Sequence, residues 1–182
     1  MYESHHGVGQ SLEFSLQNVG DGPDRFTAAD LQSGSGIALV LLLRNHYCPL
    51  SRRKVRRLGD RIDEFEAEHV PVVAVLPDTP DRAAVWGRRY EPPFPLLSDP
   101  VSEVQTISGD TEPGRFEALG DVQEWVPQTP ALVAVETYGD DPTVGQIYSG
   151  ATRQDCPDVA EMLEIARETR LENPNSKPAP AV

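Results

Sequence analysis

The chain has 182 residues and a mass of 20.0 kDa, about one domain's worth, and a domain of that size buries roughly 70% of its unfolded surface without needing a disulfide or a metal. Two cysteines, four histidines and no CxxC pair exclude a zinc finger, an iron–sulfur cluster and a disulfide-stapled secreted domain. A net charge of −13, from 16 basic and 29 acidic residues, sets the surface against phosphate backbones and anionic membranes, so neither nucleic acid nor membrane is an expected partner.

In chain order, residues 1–12 read as a flexible N-terminus and 13–171 as the folded domain. Glu13–Val19 is a short first strand, followed by a turn at Gly20–Asp24. Phe26–Leu31, with Thr27 as N-cap, is one helical turn. Ile37–Leu43 is an unbroken apolar run, the mark of a strand covered on both faces. From Ser51 to Glu68 the apolar positions Val55, Leu58, Ile62 and Phe65 draw one buried stripe of an amphipathic helix. Val70–Leu76 is a second buried strand, and Asp78 or Thr79 caps a helix from Pro80 to about Arg89.

Phe94–Leu97 is a short extended piece, Pro100–Thr106 a short helix, and residues 108–128 a long loop without a clear period. Ala131–Glu136 and Val144–Ser149 are strands joined by the turn-rich Thr137–Thr143, which suits an antiparallel hairpin. Pro157 opens a last helix to about Leu171. Glu172–Val182 is a disordered tail. The strand–helix–strand units imply a parallel section with right-handed crossovers. The expected fold is therefore α/β: a three-layer helix–sheet–helix sandwich on a mixed sheet with a C-terminal antiparallel hairpin.

Met1–Gln10 is polar and offers no signal peptide. The longest apolar run falls far short of the ~20 residues that cross a bilayer, so a cytoplasmic protein is expected. Only Lys54 and Lys177 are lysine. An acidic, lysine-poor surface suits concentrated salt, where the Debye length shrinks to about 3 Å, and points to a salt-loving cytoplasm.

Chemistry concentrates in Arg44-Asn45-His46-Tyr47-Cys48-Pro49-Leu50-Ser51-Arg52-Arg53. A buried strand ends, a cysteine follows within five residues, and a helix begins at once. Free backbone N–H groups and the positive end of the helix dipole favour thiolate over thiol there, so Cys48 is the expected nucleophile, acidic and accessible. Arg52, Arg53, Lys54, Arg56, Arg57 and Arg61 crowd the first turns, while Asp63, Glu64, Glu66 and Glu68 crowd the far end. That polarity opposes the helix dipole by a few tenths of a kcal/mol per residue. The basic turns are therefore expected to hold an anion: either the thiolate, polarised by Arg52 and Arg53, or an anionic part of a partner. The competing reading is a merely solvated face, with Arg61 and Glu64 a surface pair.

Cys48-Pro49-Leu50-Ser51, set between a buried strand and an amphipathic helix, resembles the active-site turn of thioredoxin-fold proteins. The closest likeness is to the redoxin branch, the alkyl hydroperoxide reductase/thiol-specific antioxidant (peroxiredoxin-like) group. Gln128-Thr129-Pro130 before the strand Ala131–Glu136 stands where that fold has its cis-proline, and Gly145-Gln-Ile-Tyr-Ser-Gly150 looks like its last strand. The likeness spans residues 13 to 170 and implies that Pro130 is cis beside Cys48, with the Thr129 backbone free to pair with substrate. An ordinary trans proline starting a strand is the alternative.

The chain also departs from the family. Dithiol members carry cysteine at both ends of the turn, and here the second is Ser51. The peroxiredoxin pattern Pro-x-x-x-Thr-x-x-Cys meets Leu41 and Asn45 instead. Ala131 stands where peroxiredoxins often place an arginine.

Ser51 cannot resolve a mixed disulfide; it either donates a hydrogen bond to the thiolate or caps the helix. If strand 144–149 runs parallel to 37–43 across 131–136, Cys156 follows a strand ending on the same sheet edge as Cys48, about two strand spacings or 10 Å away. Cys156 also begins a helix. It is thus the internal candidate for resolving cysteine; otherwise it packs, and a small cellular thiol resolves Cys48. His46 is a base or cationic neighbour, or simply caps the sheet end. Tyr47 and Pro49 flank the substrate position. Trp86 and Trp125 are expected in packing, and His5 and His6 receive no role.

The combined expectation is a thiol–disulfide oxidoreductase of redox homeostasis that acts on a protein or small-molecule thiol or disulfide, with no metal or cofactor. Reduction of hydroperoxides by Cys48 is the enzymatic alternative, and a non-catalytic redoxin-fold binding module is the alternative from another class.

Overall fold

The computed structural model describes residues 8–100, 130–149 and 152–172. Seven strands form one sheet: β1 (Ser15–Asn18), β2 (Arg25–Thr27), β3 (Ile37–Leu42), β4 (Val72–Leu76), β5 (Leu96–Ser98), β6 (Ala131–Glu136) and β7 (Thr143–Tyr148). Their spatial order is β2-β1-β5-β4-β3-β6-β7. The central pairs β3·β4 and β4·β5 are parallel, and every other pair is antiparallel. Helices are α1 (Pro49–Asp60), α2 (Ile62–Ala67), α3 (Pro80–Tyr90) and α4 (Val159–Glu172). The parallel centre and the closing hairpin match the sequence expectation, and the architecture is the thioredoxin-like α/β mixed sheet.

Both faces of the sheet are covered, which is why β3 reads as an unbroken apolar run. Ile37, Leu39 and Leu41 face a cluster with Val55, Leu58 and Phe65 of α1 and α2, Trp86 of α3 and Met162 of α4. Ala38, Val40 and Leu42 face the other way, onto Leu12, Phe14, Phe26 and Leu31 among the described residues. The chosen stripe Val55, Leu58, Ile62 and Phe65 is buried throughout.

Several boundaries are corrected. Arg25–Thr27 pairs with β1 as a strand, and the helical turn is confined to a 3-10 segment, Ala28–Leu31, with Thr27 as its N-cap. The Asp30 carboxylate accepts the Thr27 N–H at 2.7 Å and its hydroxyl at 2.8 Å. The 51–68 helix begins earlier, at Pro49, and breaks at Arg61. The last helix is opened by Asp158, not Pro157: Asp158 and Glu161 exchange side-chain-to-amide bonds at 2.8 and 2.9 Å, a reciprocal cap. Pro100–Thr106 beyond its first residue, the loop 108–128 and the tail beyond residue 172 lie outside the described residues.

Gly87 sets how closely α3 approaches the sheet. A Cβ there would sit 2.4 Å from the carbonyl oxygen of Val19, so only glycine lets the helix lie against the end of β1. At the opposite edge Gly9–Leu12, assigned by sequence to the N-terminal arm, run along the start of β7. Gly9 N–H donates to Val144 O at 2.7 Å, Leu12 N–H to Pro142 O at 2.8 Å, and Val144 N–H to Gln10 O at 2.8 Å. No helix among the described residues is long and apolar enough to cross a membrane.

Candidate active site

The strand β3 delivers the chain at Leu42, and α1 begins at Pro49. Cys48 is the N-cap of α1, extended at φ −68° and ψ 114°, with Pro49 at the first helical position and no side chain capping the helix. The first free amides of α1 therefore belong to Leu50 and Ser51, since proline has none. Asn45 shapes the turn: its Oδ1 accepts the Tyr47 N–H at 3.0 Å and its carbonyl accepts the Cys48 N–H at 3.3 Å. The strand-end, helix-start position expected for Cys48 is present. The expected openness is not, for Cys48 is only 3% exposed, lying between Tyr47, 65% exposed, and an exposed Pro49.

Ser51 is fully buried, and its hydroxyl accepts the Arg44 N–H at 3.1 Å. It ties the end of β3 to the first turn of α1 and does not cap the helix, which corrects the capping alternative. Arg52 is also turned to support: its Nη2 and Nε donate to the His46 carbonyl at 3.0 and 3.3 Å, and its guanidinium lies 6.0 Å from the Trp86 ring centre. It secures the turn from outside, a role the expected polarisation of the sulfur did not include. Arg53 is exposed.

His46 does not merely cap the sheet end. Its ring stands 5.9 Å from that of Trp86 and edge-on to Tyr47 at 5.2 Å, and its Nδ1 is buried without a hydrogen-bond partner. Burial pushes the imidazole below its ordinary pKa. Asp78 pulls it back, while Arg52 and Arg82 push it further down. Asp78, 7% exposed at the end of β4, accepts the Thr79 N–H at 2.8 Å and pairs with Arg82 at 3.7 Å. The helix N-cap is thus Thr79, and Asp78 faces the His46 group. This cluster was missed in the sequence; the available signal was that Asp78 and His46 both follow parallel strands ending on the same sheet edge.

Pro130 is buried, one residue past the Leu42–Ala131 pair of the β3·β6 ladder, so the strand register brings it to the end of the sheet where Cys48 lies. Thr129, Trp125, His5 and His6 lie outside the described residues. Trp86 is core, 2% exposed.

The conditional topology for Cys156 holds: β7 runs parallel to β3 with β6 between them. Its local setting differs from expectation. Cys156 follows a 3-10 turn at Arg153–Asp155 in extended conformation and begins no helix. It is 5% exposed inside the helix-side core, and burial pushes its thiol up to about 11 against the pull of Lys54. Lys54 Nζ donates to the carbonyls of Cys156 at 3.1 Å and Pro157 at 2.5 Å. Both cysteines are free thiols. Among the described residues no group of three or more His, Cys, Asp or Glu side chains could hold a metal.

A family model described as the AhpC/TSA family matches residues 8–110. No curated protein matches the chain. Among solved structures, the reduced 2-Cys peroxiredoxin of Plasmodium vivax is similar over 90% of this chain and 96% of its own, with 14% identity and a TM-score of 0.65. AhpC of Mycobacterium tuberculosis is similar over 92% and 94%, at 13% identity and 0.64. An uncharacterised conserved protein of Geobacillus kaustophilus is similar over 100% and 90%, at 19% identity and 0.61. At such identities these likenesses speak for the fold.

Proposed function

The chain belongs to the AhpC/TSA family and is a peroxiredoxin-like redox enzyme, and on that premise we propose that it is a thiol–disulfide oxidoreductase working through Cys48 alone. The observation that carries this reading is the pairing of two unlike cysteines. Cys48 caps the first turn of α1 at the strand-end junction, while Cys156 is sunk in the core with its thiol held protonated by burial. Thiolate is the attacking form, so the second cysteine is poorly suited to resolve the first.

The exchange balances without a cofactor. Cys48 gives its proton to solvent, its sulfur attacks one sulfur of a disulfide R–S–S–R′, and the S–S bond breaks. R′–S⁻ leaves with the electron pair and is protonated. A second thiol, R″–SH, loses its proton and attacks the R sulfur of the mixed disulfide; Cys48 departs as thiolate and R–S–S–R″ forms. Tyr47 and Pro49 flank the attacked position, and Pro130 shapes the neighbouring wall. Ser51 and Arg52 position the turn. The substrate is a protein or small-molecule thiol or disulfide.

A second reading, reduction of hydroperoxides, is favoured by the 3% exposure of Cys48, which admits a small oxidant more easily than a folded protein. There the sulfur attacks the nearer peroxide oxygen, the O–O bond breaks, the alkoxide takes a proton and leaves as alcohol, and Cys48 becomes a sulfenic acid that two thiols reduce.

Intact mass after mixing with a disulfide reagent tests the first reading. One adduct per chain is expected, lost in Cys48→Ser and kept in Cys156→Ser; an adduct surviving Cys48→Ser would overturn it. Hydrogen peroxide consumption with dithiothreitol as reductant divides the two readings.

A further inference from the structure

Resting on Cys48 as the exchanging thiol, we propose that the outward face of α1, carrying Arg53, Arg56 and Arg57, is a docking surface for a carboxylate-bearing low-molecular-weight thiol or disulfide. The six cations of Arg52–Arg61 divide sharply in the structure. Three are committed within the chain: Arg52 to the His46 carbonyl, Lys54 to the carbonyls of Cys156 and Pro157, and Arg61 to Glu64 at 2.6 Å. Arg53, Arg56 and Arg57 are exposed, and none of them takes part in an ion pair among the described residues, although the chain carries 29 carboxylates.

At 100° per residue, Pro49, Arg53 and Arg56 form one stripe with Arg57 beside it, opposite the buried Ser51, Val55 and Leu58. The stripe begins at Pro49, the exposed residue next to Cys48. Helical side chains lean toward the N-terminus, so the guanidinium groups reach back toward that end. A rise of 1.5 Å per residue puts the backbone of Arg53 about 8 Å and that of Arg57 about 14 Å along the axis from Cys48, the dimensions of a small molecule. Because α1 ends at Asp60, the opposition to the dipole expected from sequence does not arise: Arg57 stands in the last turn, where the dipole favours a cation as it does for Arg88 and Arg89 in α3, and Arg53 and Arg56 stand in the middle of the helix. What sets these three apart is that they are exposed, lie on one side of α1 and are in no ion pair among the described residues, which leaves them available to a bound anion.

The partner's chemistry follows from charge and access. A chain of −13 repels anions over most of its surface, and this face reverses that sign locally beside the nucleophile. Guanidinium groups bind carboxylates with paired, directed hydrogen bonds. The 3% exposure of Cys48 favours a small reactant over a protein surface.

The test uses the full chain with Cys156→Ser and two small disulfide probes, the dianionic dithiobis(nitrobenzoate) and the neutral dithiodipyridine. The expected result is that Arg53→Gln, Arg56→Gln and Arg57→Gln together slow the dianion about tenfold or more and leave the neutral probe within about twofold. Raising salt to about 1 M should abolish the difference between the parent and the triple variant, as screening shortens to about 3 Å. An unchanged ratio of the two rates would overturn the proposal, as would an equal fall with both probes, which marks a structural role. Selective loss with an acidic protein disulfide such as insulin, with the small dianion unaffected, would overturn it in favour of protein docking. Silence of both probes on the parent chain would instead remove Cys48 as the exchanging thiol, and the docking surface with it.

Discussion

The Arg52 guanidinium grips the His46 carbonyl through two nitrogens while lying over Trp86, so one side chain of α1 fastens the turn that precedes it to a helix that follows. Hydrogen bonds from a charged donor contribute roughly 1.5–3 kcal/mol, less where solvent reaches them. Arg52→Ala is expected to cost about 1–2 kcal/mol in urea denaturation and to speed iodoacetamide labelling of Cys48 as the turn loosens. Arg52→Lys should restore little, because an ammonium lacks the planar fork. Unchanged midpoints and labelling rates in Arg52→Ala would show the grip to be inconsequential.

His46 gives a pH dependence whose sign is set by burial. Its folded pKa lies below the unfolded value of 6.5, so the unfolded chain takes up the proton first. Its contribution is complete above 6.5 and shrinks as pH falls below that value. It levels off once the folded imidazole is also protonated. Denaturation midpoints at about pH 7.5 and pH 5.5 should therefore diverge more in the wild type than in His46→Gln. Equal divergence in both would assign the acid sensitivity to other groups.

Cys156 is expected to behave as a packing residue. With its thiol at about 11 and 5% exposure, it should resist alkylation at pH 8 in the folded chain and react only when denaturant is added. Cys156→Ala should leave disulfide exchange by Cys48 intact and cost about 1–2 kcal/mol of stability through lost packing. Cysteine-specific mass mapping reads both outcomes, and rapid labelling of Cys156 without denaturant would return it to the list of reactive thiols.

Gly87→Ala tests how tightly α3 is seated. The added methyl would meet the Val19 carbonyl at 2.4 Å, backbone that cannot rotate away, so the expected loss is about 1–3 kcal/mol despite the better helix propensity of alanine. A thermal midpoint at or above that of the wild type would contradict the close approach.

The strands and helices with strong apolar periods were legible because burial writes directly into sequence. Ile37–Leu43 and the stripe Val55, Leu58, Ile62 and Phe65 needed no tertiary information. The break at Arg61 was hidden because the stripe continues in phase across it. Arg25–Thr27 was hidden because a three-residue edge strand is too short to show a period.

At the site, the position of Cys48 and the topology of Cys156 could be read from element order. Their depth could not: exposure depends on what neighbouring loops cover. The fates of the cations were likewise illegible. Arg52, Lys54 and Arg61 find partners at His46, Cys156, Pro157 and Glu64, and only the folded chain separates them from Arg53, Arg56 and Arg57.

The strip Gly9–Leu12 along β7 has a consequence for how the molecule meets its own copies. An outer strand with a free row of amides and carbonyls is a template onto which another chain can zip. Here the Pro142–Val144 end of that rim is already occupied by Gly9–Leu12. Shortening the chain to begin at Phe14 would bare that end, and light scattering should then show more self-association than in the full chain.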